Sequence, residues 1–464
     1  MSDEHDTPEP FSALVRGFRC SLLPGLVRGV LRGVLPGLFL VPVFACVSPK
    51  PLLVTAPAAV VAGGSRAREV PKARISFYAD FWYALRELSL QDAWIIADSK
   101  DERSLADAME AFFEGRNTEA DSIAMQLLSS RDREVRDAAR VTHGAILTSE
   151  GNWTRLATYA DSAGRENRDA AGVETWAPAF KGVATSISFG DSVTSLPLTR
   201  SMTGVAIIPV TINGVKRHFW LDTGSSITIL TESVALDARI TGFGRDTLEL
   251  VSSVGRLSTR AAVVKSLKLG TFTVSNAPAM IVRDEALQVR EASSGMPPLP
   301  IDGVIGFDLI RKLDVTIDDA ASRVILRKPV VVTGKLAARN LFWFGVPIVT
   351  LLAEDGTLVH MLLDTGAEET FGTASLATKS DAHWRAAERR TVRGFGGVKT
   401  ESGLVIPSVH LFLGNVSLSF QRIFLYDANY PTIFNLDGTL GSDAGRGGTL
   451  RIDMTNGRLE VSGG

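Results

Sequence analysis

Apolar positions in this chain follow two different periods, and the change between them divides the sequence. From residue 76 to about 175 they recur at helical spacing. Leu105, Ala108, Met109 and Phe112 form one i, i+3, i+4, i+7 stripe, and Ala120, Ile123, Ala124 and Leu127 a second. Val135, Ala138 and Ala139 with Ala145 and Ile146 make a third, and Trp153, Leu156, Ala157 and Ala160 a fourth. Gly115 and Gly144 are expected near helix ends or bends, with Gly151 in a connection. The pattern predicts a small bundle of short amphipathic helices, similar in spacing to tetratricopeptide-type hairpins, packed against its neighbour.

Beyond residue 193 the pattern changes to short runs of Val, Ile, Leu, Thr and Phe broken by glycine-bearing turns, as in closed or sandwich-like β folds. Residues 171–200 are a connector in this reading. The strand-rich part divides into two stretches, 193–330 and 338–463, each carrying the same landmarks in the same order. Asn213-Gly214 and Asp355-Gly356 both precede an Asp-Thr-Gly by nine residues, and both are hairpin signals, because a type I′ turn needs positive φ at its centre. Asp222-Thr223-Gly224 and Asp364-Thr365-Gly366 end the following apolar runs. Next come Leu267-Lys268-Leu269-Gly270 and Leu411-Phe412-Leu413-Gly414. Asp302-Gly303-Val304-Ile305-Gly306 and Asp437-Gly438-Thr439-Leu440-Gly441 follow, and each leads into an Ile-Asp pair, at Ile317 and at Ile452. Such ordered repetition implies an internal duplication and two equivalent lobes.

These residues resemble the aspartic proteases of the pepsin and retropepsin type. Phe219-Trp220-Leu221-Asp222-Thr223-Gly224-Ser225-Ser226 resembles the pepsin active-site strand and turn, and Leu362-Leu363-Asp364-Thr365-Gly366-Ala367-Glu368-Glu369-Thr370 is closer to the retroviral form. Val304-Ile305-Gly306 and Thr439-Leu440-Gly441 resemble the strand that threads beside the active-site loop, with Thr439 a polar departure. The resemblance covers roughly residues 195–463 and nothing upstream. It implies a mainly β, two-lobed acid protease fold preceded by the small helical domain, active as a monomer that is an internal pseudo-dimer.

The chemistry expected of such a pair follows from electrostatics. Two carboxylates a few ångströms apart cannot both ionise cheaply, so Asp222 and Asp364 would share a proton. One would then activate a water while the other donates to a peptide carbonyl. Thr223 and Thr365 would bond across the lobe interface, and Gly224 and Gly366 would permit the close approach. A Ser225 hydroxyl aimed at Asp222 would favour its ionised form and leave Asp364 the more readily protonated. Gly255 and Gly397 each lie 33 residues past their aspartate, at candidate flap tips; the second sits in Gly394-Phe395-Gly396-Gly397, similar to a retropepsin flap. By the same resemblance, Glu368 and Glu369 occupy substrate-contacting positions. The expected activity is aspartic endopeptidase cleavage of a polypeptide; the alternative is a silent, peptide-binding or envelope-scaffolding protein that uses the same cleft and the helical domain.

Composition narrows this further. Apolar residues make up 45% of the 464-residue chain, ample for sizeable cores, and a formal charge of −2 gives no reason to expect nucleic acid. Six histidines and two cysteines show no clustered metal-ligand spacing, so neither metal nor other cofactor is expected. Residues 1–46 read as a targeting segment: Arg16, Arg19, Arg28 and Arg32 precede the apolar run Gly33–Ala45, and Val43-Phe44-Ala45-Cys46 resembles a bacterial lipoprotein signal with Cys46 lipidated. Residues 47–75, rich in Pro, Ala, Val and Gly, would be a tether. The expected location is the bacterial cell envelope, exported and membrane-anchored through lipid.

Overall fold

The computed structural model describes residues 71–73, 77–163, 173–288 apart from 202 and 253, 301–332, and 339–463 apart from 384, 396, 427 and 429. The targeting segment with Cys46, nearly all of the tether, and Gly396 lie outside the described residues.

Helices form where the 3.6-residue stripes predict them: α1 (Phe81–Arg86), α2 (Leu90–Ile96), α3 (Lys100–Phe113), α4 (Asn117–Leu127), α5 (Arg133–Glu150), α6 (Trp153–Ala163) and the single turn α7 (Val173–Trp176). Ser99 and Glu102 close a capping box at the start of α3, satisfying two backbone donors that the helix itself cannot. Asp132 caps α5, and Gly151, at φ 67°, ends it in the left-handed conformation that glycine adopts without strain. Stripe residues Leu105, Met109, Ala120, Ala124, Val135, Ala139, Ile146, Leu156 and Ala157 are buried. Gly144 departs from expectation: it lies inside α5, which runs unbroken through it. A single glycine costs a helix interior only about 1 kcal/mol, less than the burial of the surrounding apolar face supplies.

The two lobes are β structures built alike. In lobe one, strands Ala206–Ile212, Val215–Leu221, Gly303–Ile305, Ile229–Thr231, Phe272–Val282 and Arg256–Leu269 are hydrogen-bonded in that order, and the last returns to the first, closing a barrel. Lobe two repeats the ring with Val346–Ala353, Leu358–Leu363, Gly438–Leu440, Phe371–Gly372, Val416–Leu425 and Gly397–Leu413. Closure leaves few open strand edges, and the inward-facing positions fill one apolar core across both lobes. Phe243–Val251 and Arg385–Gly394 each add an outer strand, forming the arm of a long hairpin.

A third, five-stranded sheet joins the lobes. Asp314–Asp318 of lobe one pairs antiparallel with Thr449–Asp453 of lobe two, Val315 opposite Ile452 and Ile317 opposite Leu450. The two Ile-Asp landmarks therefore meet in the sheet that ties the halves together.

Two local expectations are refined. Asn213 and Gly214 both take positive φ, 46° and 92°, as a type I′ hairpin requires. In lobe two only Gly356 does; the Asp355 carboxylate instead accepts from the Thr357 N–H and Ala353 pairs with Thr357, giving a longer loop. Second, the 171–200 connector is partly strand. Ser186–Phe189 pairs with Phe272–Val282, because its Ser-Ile-Ser-Phe alternation suits a sheet edge.

Candidate active site

Each Asp-Thr-Gly lies where a hairpin's second strand runs out. Val215–Leu221 and Leu358–Leu363 are flanked by the parallel strands Gly303–Ile305 and Gly438–Leu440. Those strands continue to hold the chain past its last sheet residue: Asp222 N–H donates to the Ile305 carbonyl at 3.1 Å, and Asp364 N–H to Leu440 at 3.0 Å. Both aspartates are thereby delivered to the interface from rigid, buried backbone.

The two loops interlock by reciprocal hydrogen bonds. Thr223 N–H donates to Thr365 Oγ1 at 3.0 Å, and Thr365 N–H to Thr223 Oγ1 at 2.9 Å. The hydroxyls in turn donate across the interface, Thr223 to the Leu363 carbonyl at 2.7 Å and Thr365 to that of Leu221 at 2.8 Å. Both threonines are buried, so every one of these groups would be costly to leave unpaired.

The glycines show how close the halves come. A methyl group placed on Gly224 would fall 2.5 Å from the carboxyl carbon of Asp364, and one on Gly366 the same distance from that of Asp222. Any side chain at either position would displace a carboxylate. Asp222 Oδ1 accepts from the N–H groups of Gly224 (2.8 Å) and Ser225 (3.3 Å), and Asp364 Oδ1 from those of Gly366 (2.9 Å) and Ala367 (3.1 Å).

The two carboxyl groups lie close enough to interact directly. Burial and then the neighbouring Asp364 charge push Asp222 well above the usual carboxylate range. Burial raises Asp364 too, but the hydrogen bond from Asp222 and the backbone donors hold it back. Both carboxyls are thus raised together, as expected of two acids that cannot both ionise cheaply. The Ser225 hydroxyl, expected to aim at Asp222, turns away and donates to the Ile227 carbonyl at 2.8 Å. Only its backbone N–H reaches Asp222, a contact that Ala367 reproduces in the other lobe.

A second repeated pair supports each loop from behind, and sequence reading missed it. Thr228 Oγ1 donates to Asp308 at 3.1 Å; Thr370 Oγ1 donates to Asp443 at 2.7 Å. The same hydroxyls accept from the N–H of Gly306 (3.4 Å) and Gly441 (3.0 Å). Burial lifts Asp308 to about 6 against the pull of Lys312 and Arg311, and also lifts Asp443. The signal was present: each threonine follows its Asp-Thr-Gly aspartate by six residues, and each acid follows its glycine by two.

Flap candidates lie at the ends of the long hairpins. Gly255 closes the lobe-one tip, where its carbonyl accepts from Ser252 N–H at 2.7 Å. In lobe two Gly394 pairs with Gly397, leaving Phe395 at the tip. The tips touch: Ser252 Oγ donates to the Phe395 carbonyl at 2.7 Å, and the Phe395 ring lies 5.4 Å from that of Trp220, two residues before Asp222. Glu368 and Glu369 are exposed; Glu369 lies 3.3 Å from Arg390 on the flap strand, while the Glu368 carbonyl accepts from Arg446. Among the described residues no group of three His, Cys, Asp or Glu side chains is placed to hold a metal ion.

A search of curated proteins finds no match. Among solved structures, a retropepsin-like aspartic protease from Rickettsia conorii is 20% identical over 31% of this chain and 93% of its own, with a TM-score of 0.20. Residues 208–309, which span the first Asp-Thr-Gly and the Val304-Ile305-Gly306 strand, match the family described as aspartyl protease. That region of the chain is similar to the aspartyl protease family.

Proposed function

We propose that the protein is an aspartic endopeptidase using Asp222 and Asp364, one from each lobe, to hydrolyse peptide bonds with a single activated water. The observation that supports this reading is the interlocked pair of loops, which brings the Asp222 and Asp364 carboxyl groups together at the lobe interface, where both are raised.

In this reading Asp222 starts protonated and Asp364 ionised. A water between the carboxyls loses a proton to Asp364 as its oxygen attacks the peptide carbonyl carbon. Asp222 gives its proton to the carbonyl oxygen, so a neutral tetrahedral diol forms and no unpaired charge is buried. Asp364 then passes its proton to the amide nitrogen, the C–N bond breaks, and a diol hydroxyl returns a proton to Asp222. The dyad ends in its starting state. Gly255 and the Phe395 and Gly397 tip would cover the substrate, with Glu368 and Glu369 at the cleft edge. One chain supplies both halves, so a monomer suffices. On sequence grounds the substrate would be met in the cell envelope, the enzyme held there through Cys46.

Cleavage profiling on a peptide library tests the proposal. Wild type should cut, a pepstatin-type inhibitor should block it, and Asp222→Asn and Asp364→Asn should each lose roughly 10²–10⁴-fold in rate, the range supplied by a positioned acid or base. Peptide binding without cleavage by wild type would overturn it in favour of a silent cleft.

A further inference from the structure

The two flaps are held in unlike ways. Strand Phe243–Val251 ends its sheet, and among the described residues its outer edge has no neighbouring strand. The helical segment supplies a neighbour. The Trp176 indole N–H donates to the Glu249 carbonyl at 3.4 Å. Phe180, fully buried, meets the Phe243 ring edge-on at 6.1 Å and is itself backed by Trp153 at 5.2 Å. Leu250 and Leu257, which face each other across the two flap strands, are buried in the same apolar cluster as Leu147, Trp153, Leu156 and Trp176. Lobe one's outer flap strand is thus met at Phe243 and Glu249 by Phe180 and Trp176, with Trp153 of α6 behind Phe180.

Lobe two is gripped elsewhere. The helices bury Phe344, Val346, Ile348, Leu362, Phe434 and Leu436, all outside the hairpin Arg385–Leu413. Among the described residues, that hairpin meets the rest of the site through Glu369–Arg390, through Phe395, which seats on Trp220, and through the Ser252 hydroxyl donated to the Phe395 carbonyl.

We propose that the helical segment is a brace for the lobe-one flap, with Trp176 its positioning residue, and that the lobe-two flap is the moving cover, closing when Phe395 seats on Trp220. Duplicated lobes would otherwise open symmetrically; the brace makes substrate entry one-sided. The kinetic consequence rests on the proteolytic reading above, but the mechanical one does not. A fixed flap one contributes equally to bound substrate and transition state, so loosening it should raise KM more than it lowers kcat.

Hydrogen exchange on the full chain, expressed as protection factors for residues 243–257 and 389–400, tests the brace without requiring activity. Wild type should protect the first peptide at least about ten-fold more than the second. Trp176→Ala should remove about ten-fold of that protection from flap one and leave flap two unchanged; Trp176→Phe, which keeps the packing, should retain most of it. If Trp176→Ala does not fold, Phe243→Ala is read in its place. Equal protection of the two wild-type flaps, or an unmoved flap one in a folded variant, overturns the brace. Where peptide cleavage is measurable, an unchanged KM in Trp176→Ala overturns the positioning role. Absence of cleavage by wild type would instead sink the enzymatic reading and leave the exchange comparison to decide the brace.

Discussion

A proton held between buried acids makes the dyad a liability to folding at neutral pH, and this gives its chemistry a thermodynamic signature. Asp222 carries a raised pKa in the folded state, so folding binds more protons than unfolding, and stability is lost as pH rises through the folded value. Asp222→Asn should therefore raise the melting temperature at neutral pH while abolishing cleavage. The gain should vanish below about 3.8, where the acid is protonated folded or unfolded. Thermal melts of the two proteins at several pH values check this. Thr223→Val removes one hydroxyl that serves two partners, orphaning the Thr365 N–H and the Leu363 carbonyl. The expected cost is roughly 1–3 kcal/mol for each orphaned group, measured by denaturant unfolding, with Thr223→Ser close to wild type. Asp308 titrates at about 6 for the same reason of burial, so its contribution also falls as pH rises from 3.8 through that value. Asp308→Asn should flatten that part of the stability–pH curve.

At the level of elements, the hairpin, the Asp-Thr-Gly loop and the Gly-Val-Ile or Gly-Thr-Leu strand were legible because each is short and its signal contiguous. Helix stripes were equally plain, since burial of one face is written in the spacing itself. What stayed hidden was pairing between elements. Thr228 and Asp308 lie 80 residues apart, and nothing local to either says that they meet. The direction of the Ser225 hydroxyl was hidden for a related reason: Asp222 and the Ile227 carbonyl both lie within its reach, and only loop geometry chooses between them. The strand Ser186–Phe189 reads as connector in the sequence because four residues carry too little periodicity to stand out before their partner is known. Glycine at 224 tests the element directly. Gly224→Ala would drive its methyl into the Asp364 carboxylate, so the variant should fold with a displaced loop and lose cleavage activity, at least about 10²-fold.

For the whole molecule, the helical segment matters more than its position before the lobes suggests. Besides bracing flap one, it reaches lobe two through a charged bridge. Lys379 lies 2.7 Å from Glu87 of the helical segment and 2.9 Å from Asp437, and all three side chains are largely buried. Asn435 adds a backbone N–H to the Arg86 carbonyl at 2.8 Å. Lys379→Met would leave two buried carboxylates without their cation, a change that typically costs 3–5 kcal/mol. Urea unfolding should show that loss in the transition shared by the helices and lobe two. Around the bridge, Phe112, Phe113, Phe344 and Phe434 interleave with ring centres 5.0–6.2 Å apart. The helical stretch read from sequence as packing against a neighbour is packed against both lobes.

The sequence by itself determined the duplication, the residue types at each loop and the helical face pattern, because these depend on period and on conformational limits that neighbouring residues impose. Tertiary structure alone decided where the Ser225 hydroxyl points, which flap is tied down and how the helices bridge the lobes. Those outcomes depend on burial and on distances between residues far apart in the chain, and electrostatic and packing energies exist only once such groups are brought into contact.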